Sequence, residues 1–166
     1  MAELTTLAVR ELLQLNASIG DELRARKICR TSNNPVGDVA EYLFHVAFDW
    51  TLETNSKAGF DAICPKLGRI QIKSRRVSVH NPSRQAGDIR NLDKKLFDYL
   101  AGVVFDHSYG VHVAMLVPHQ LVLERATDIH HTRSSRIYLR DDWLLINGVR
   151  DMTEEIKKAW ASINVA

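Results

Sequence analysis

The chain has 166 residues, 45 % of them apolar and 25 % charged, which suits one ordinary globular domain with a sizeable core. No apolar run approaches a membrane span, Met1-Ala2-Glu3-Leu4 lacks the basic start of a signal peptide, and Cys29 and Cys64 are too few for a disulfide framework or a zinc site. The expectation is a cytoplasmic chain that uses no membrane, and its net charge of +2 is unevenly spread: −3 over residues 1–65, +7 over 66–95 and −2 over 96–166.

Residues 4–27 read as one or two helices, since Leu4, Leu7, Ala8, Leu12 and Leu15, then Ile19, Leu23 and Ile28, recur at helical spacing. Asn16 to Gly20 are a candidate break. Arg24, Arg26, Lys27 and Arg30 could touch a phosphate backbone, although solvating a helix end is the default for such residues. Asn33-Asn34-Pro35 reads as the start of a second helix over 35–49, with Asn34 as N-cap and Pro35 in the first helical position. Val36, Ala40, Leu43 and Ala47, with Val39, Val46 and Trp50, form its apolar stripe. Glu41 lies at the edge of that stripe.

A first strand begins between Phe48 and Leu52. Strands then follow at 60–64 and 69–79, joined by a tight turn over Lys66-Leu67-Gly68 in which Gly68 adopts the left-handed conformation. In that register Asp61 lies opposite Lys73. Alternation puts Asp61, Gln71 and Lys73 on one face and the apolar Ala62, Cys64, Ile70 and Ile72 on the other. A carboxylate, a carboxamide and an ammonium sharing one face can hold a hard divalent cation and stabilise charge on a phosphate, or can form a plain surface salt bridge.

Residues 80–95 read as a polar, basic, turn-rich loop with a helical turn near Asp88. Leu100 to Phe105 and Val111 to Val117 are valine-rich runs that read as central strands, separated by a turn over 106–110. Pro118 and His119 close the sheet. Ile137 to Leu139 and Trp143 to Ile146 read as short strands or an edge hairpin. Asp151-Met152-Thr153-Glu154 opens a final helix to about Ile163. The histidines lack ligand spacing: His107, His112 and His119 straddle a strand and its turns, and His130 and His131 diverge. His45 and His80 lie nearer the candidate site, where ordinary hydrogen bonding is the default. No phosphate-binding glycine loop, dinucleotide fingerprint or nucleophile elbow is present, which argues against a nucleotide-driven motor or an oxidoreductase.

Gly37-Asp38-Val39-Ala40-Glu41, then Gly59-Phe60-Asp61, then Gln71-Ile72-Lys73 together resemble the PD-(D/E)XK nuclease superfamily, most of all its Mrr-like branch with Gln in the third motif. The resemblance covers roughly residues 35–117. It implies an α/β fold with a restriction-endonuclease-like core, a mixed central sheet flanked by helices. It also implies a single domain: N-terminal helices over 1–34, a catalytic core over about 35–117, and C-terminal strands and a helix over 118–166. Glu41, Asp61, Gln71 and Lys73 are then the catalytic set. Asp61, Glu41, Gln71 and Ile72 form the metal set for Mg2+ or Mn2+, and the implied activity is DNA cleavage in restriction, phage defence or repair. RNA is the other substrate, and an inactive binding module the other outcome. The positive block beside this site fits a polyanion, with Ser74, Arg75, Arg76, Arg84, Arg90, Lys94 and Lys95 as the expected phosphate contacts. With no separate recognition domain in view, specificity is low or comes from a second copy or a partner subunit.

Overall fold

The computed structural model describes residues 3–54, 59–129 and 134–163; His130 and His131 lie outside them. A short 3-10 turn at Leu4–Thr6 leads into α1 (Val9–Ala25), one continuous helix with no break at Asn16 to Gly20. Next comes α2 (Val36–Phe48), which starts one residue later than expected, with Pro35 at its N-cap and Asn34 before it accepting the Val36 N–H on Oδ1 at 3.2 Å. Its buried stripe differs from expectation in two places. Phe44 is fully buried and stacks on Trp50 with ring centroids 5.4 Å apart, while Val46 turns to solvent.

Strands β1 (Thr51–Leu52), β2 (Ala62–Cys64), β3 (Gly68–Arg76), β5 (Tyr99–Phe105), β6 (Val111–Pro118) and β9 (Arg150–Asp151) form a six-stranded mixed sheet in the order β1-β2-β3-β5-β6-β9. Only β3 and β5 run parallel; the other pairs are antiparallel. A second, antiparallel sheet has the order β4-β8-β7, from Gln85–Arg90, Ser134–Tyr138 and Thr127–Ile129. α2 and α4 (Thr153–Ile163) cover one face of the large sheet, where Leu43, Ile70, Ala101 and Ile156 are fully buried. The second sheet and α3 (His119–Arg125) cover the other, around Leu100, Met115, Val122 and Leu139. Among the described residues no helix is long and apolar enough to cross a membrane.

Three expectations are corrected. Residues 80–95 are not all loop: β4 occupies Gln85–Arg90 and a 3-10 turn Leu92–Lys94, because Ala86, Ile89 and Leu92 bury themselves in the second core. Trp143 to Ile146 are not strand. Trp143 to Leu145 belong to a 3-10 turn at Asp141–Leu145 that drops Trp143 into the same core, and Ile146 caps its end. Finally, the β2–β3 turn is Pro65 to Leu67, not Lys66 to Gly68. Gly68 does adopt φ +85°, but as the paired partner of Cys64. A Cβ there would stand 2.5 Å from the Asp98 carboxylate, so this end of the hairpin accepts only glycine. The register moves by two residues, and Ala62 pairs with Ile70. A two-residue slip preserves side-chain parity, so Asp61 stays with the Gln71 and Lys73 set.

Candidate functional site

The site forms where β2 parts from β3. The last paired residue of β2 on this side is Ala62, opposite Ile70. Asp61 sits in a bend beyond it, with its N–H still bonded to the Ile70 carbonyl at 2.8 Å. Its carboxylate then replaces the missing strand: Oδ2 accepts the Ile72 N–H at 2.6 Å and also the Gln71 side-chain N–H. The amide end of Gln71 must face Asp61, since a carboxylate only accepts. No side-chain oxygen among the described residues is fully buried without a partner, and Asp61 Oδ1 accepts no hydrogen bond, so Oδ1 meets solvent.

α2 supplies the other wall. Glu41 and Asp61 line one open cleft of about 330 Å3, together with Asp38, Arg30 and Phe60. Asp38 is buried at the first turn of α2, and its Oδ2 accepts the N–H groups of Arg30 (3.1 Å) and Thr31 (2.8 Å) and the Thr31 hydroxyl (2.7 Å). These bonds hold the 29–31 segment over the helix. The Arg30 guanidinium consequently pairs with Glu41 and donates to the Glu53 carbonyl at 2.7 Å.

Burial pushes the Glu41 carboxyl above its ordinary range, and the negative charge of Asp61 adds to the rise; Arg30 pulls it back. Burial likewise raises Asp61, opposed by the Ile72 N–H, by the charges of Lys73 and Arg30, and by the Gln71 amide. Two carboxylates that disfavour their own ionisation in one cleft suit a single divalent cation, whose charge relieves both. Among the described residues no group of three or more Asp, Glu, His or Cys is placed to hold a metal ion, so Glu41 and Asp61 are the two carboxylates that could offer oxygens to one. Gln71 spends its amide N–H on Asp61, so only its carbonyl Oε1 could serve an ion. Ile72 buries its side chain in the core and offers the site its backbone alone.

Lys73 is half-buried on the face of β3 shared with Gln71, and pairs with Gly102 of β5. A Cβ at Gly102 would lie 2.6 Å from Leu139, so glycine lets the second sheet close onto the first behind Lys73. Several expected phosphate contacts have internal partners. Ser74 donates to the Val36 carbonyl at 3.0 Å, tying β3 to the start of α2. Arg75 donates to the Ser83 carbonyl at 2.9 Å. Arg76 donates to the His107 carbonyl at 2.9 Å and lies over the Tyr109 ring. Arg84 pairs with Asp141 and meets His112. Arg90, Lys94 and Lys95 are exposed.

Two site residues are not legible as such in the sequence. Arg30 reads there as part of a solvated helix end, and Asp38 only as one member of a motif. The available signal is the i, i+3 spacing of Asp38 and Glu41, which stacks two acids on one side of a helix that follows a basic segment. Two histidines are spent on structure: His45 Nδ1 lies 2.8 Å from the Trp50 carbonyl, and His119 Nε2 2.8 Å from that of Leu92. A scan against models of protein families finds no match, and a search of curated proteins finds no similar sequence.

Proposed function

We propose that the chain is a metal-dependent endonuclease that hydrolyses phosphodiester bonds in DNA, on a restriction-endonuclease-like core of the PD-(D/E)XK superfamily. The observation that carries this reading is the meeting of Glu41 from α2 with Asp61 from the β2 bend in one cleft, with Gln71 and Lys73 of β3 beside Asp61. The order α2, β1, β2, β3 accords with the helix-and-three-strand core that the motifs imply. Glu41 and Asp61 would hold Mg2+ or Mn2+. Such an ion neutralises phosphate charge and makes bound water a stronger acid. Asp61 is held from behind by the Ile72 N–H and the Gln71 amide, which leaves Oδ1 for the cleft. Lys73 would meet the phosphate oxygens as charge develops on them. Arg30 would hold Glu41 until a cation takes its place.

The test is incubation of the full chain with DNA and RNA substrates under Mg2+ or Mn2+. Cleavage of DNA should stop with chelator and fall at least 100-fold in Asp61→Ala and Lys73→Ala, with folding retained. Equal cleavage by both variants and the wild-type chain would sink the assignment; cleavage of RNA alone would redirect it. The second reading, an inactive nucleic-acid-binding module, draws on the Arg30–Glu41 pair and on the Gln71 amide turned to Asp61, which satisfy both carboxylates without a metal. A module of that kind shows no Mg2+- or Mn2+-dependent change in stability.

A further inference from the structure

α1 projects from the body over its first three turns. None of its 17 residues is buried, and every residue from Ala8 to Ile19 is exposed. Only its last turns join the body, where Leu23 packs on the α2-side core. Its own stabilisation is local: Glu11 accepts the Ala8 N–H at 2.7 Å, and Arg26 pairs with Glu22 at 2.7 Å. Bonds of that kind contribute a few tenths of a kcal/mol each, roughly, and a short helix standing alone in water is marginal.

The projecting surface is apolar. Val9, Leu12, Leu13, Leu15 and Ile19 are 74, 38, 65, 40 and 52 % exposed. At about 100° per residue they share, with Asn16, one arc of roughly 160°. Together with Leu4, 57 % exposed on the preceding turn, they present a patch of about 400–600 Å2, the size that marks a protein contact. Two such patches facing each other bury about 800–1,200 Å2, close to the lower bound for a specific dimer.

The spacing names the partner. Val9, Leu12, Asn16 and Ile19 follow one another at steps of three and four, the a-d-a-d positions of a heptad repeat, while Leu23 at the next such step packs on the chain's own core. Val9 at a with Leu12 at d is the combination that favours two strands. A lone Asn at a central a position weakens an apolar seam unless it meets an identical Asn, whose amide can both donate and accept. We propose that α1 pairs in parallel with α1 of a second copy of this chain, with the two Asn16 side chains meeting on the two-fold axis. This inference stands apart from the nuclease reading.

Sedimentation of the full chain from about 1 to 100 μM tests it. The mass should rise toward twice 18.8 kDa, and the melting temperature should rise with concentration, as for any two-state dimer. Leu12→Glu with Ile19→Glu changes only exposed positions. That variant should remain monomeric, with a concentration-independent melt and unchanged strand content by circular dichroism. Asn16→Cys and, separately, Val9→Cys should each cross-link nearly completely to a symmetric disulfide under mild oxidant, a pair of results that only a parallel arrangement allows. A monomer at every concentration overturns the proposal and leaves the face to a different protein. So does a dimer that survives the double substitution, or a dimer in which either cysteine variant does not cross-link.

Discussion

Arg30 is the residue on which the chemistry of the cleft turns. Its guanidinium sits on Glu41, one of the two carboxylates proposed to hold a cation, with the pair only 29 and 18 % exposed. A partly buried positive charge already at that position competes with a divalent ion for the same oxygens. Arg30→Ala should therefore tighten Mn2+ binding by roughly tenfold, about 1.4 kcal/mol, in a calorimetric titration. Unchanged or weaker binding would remove Glu41 from the ligand set. The same cleft sets a pH dependence. The folded carboxyls of Asp61 and Glu41 are raised above ordinary values of 3.8 and 4.5, so the folded chain binds protons more readily than the unfolded one. Their contribution to stability is full below those values and is lost as pH rises through the raised folded ones. Asp98, held low first by the Arg69 N–H, works in the opposite sense and only at more acid pH, as it falls below 3.8. Denaturant titrations of wild type and Glu41→Gln from pH 4 upward should diverge as pH rises, with the variant losing less stability. Parallel curves would show that Glu41 carries no such penalty.

At the scale of elements, the site exists because two segments are tied at short range to α2 and a third to β3. The Asp38 carboxylate anchors the 29–31 segment, Ser74 ties β3 to the Val36 carbonyl, and the Asp61 carboxylate closes the gap left by β2. Asp38 is the test of this scaffold. Asp38→Ala leaves the Arg30 and Thr31 donors without their shared acceptor, and hydrogen bonds to a charged, buried group are worth about 1.5–3 kcal/mol. The expected loss is about 2–3 kcal/mol of unfolding free energy, with Arg30 released from Glu41. A loss under about 0.5 kcal/mol, the range of neutral surface changes, would mean that the loop is held elsewhere.

Across the whole molecule the basic block is divided between the two faces of the large sheet, with Arg69 and Lys73 on one and Arg76 on the other. Arg69 and Arg76 mark the two ends of β3, about 23 Å apart at strand rise, with Lys73 between them. Arg75, Arg76 and Arg84 each donate to an internal acceptor, whereas Arg90, Lys94 and Lys95 are exposed. Replacing Arg90, Lys94 and Lys95 with Ala should weaken DNA binding uniformly across sequences. It should also flatten the log–log salt dependence by roughly one unit for each phosphate that the variant no longer neutralises. Unchanged affinity and slope would show that the block is merely solvated, and a weakening confined to one sequence would point to base readout.

Local pattern alone determined much of this protein. The α2 helix to within one residue of its start, the valine-rich strands at 100–105 and 111–117, the final helix and the shared parity of Asp61, Gln71 and Lys73 are all legible, because capping, periodicity and alternation act over a few residues. Tertiary structure decided the rest. Residues 85–90 become strand and Trp143 lies in a 3-10 turn because a second core accepts their apolar side chains, which nothing local announces. The hairpin register differs by two from the expected one, with Gly68 paired to Cys64 where the Asp98 carboxylate, 30 residues on in the chain, accepts the neighbouring Arg69 N–H and leaves no room for a Cβ. Arg30, an ordinary basic residue at a helix end, reached Glu41 because Asp38 pulls its loop onto α2. Side-chain partners that are distant in sequence follow from packing, and packing is settled only when the layers close.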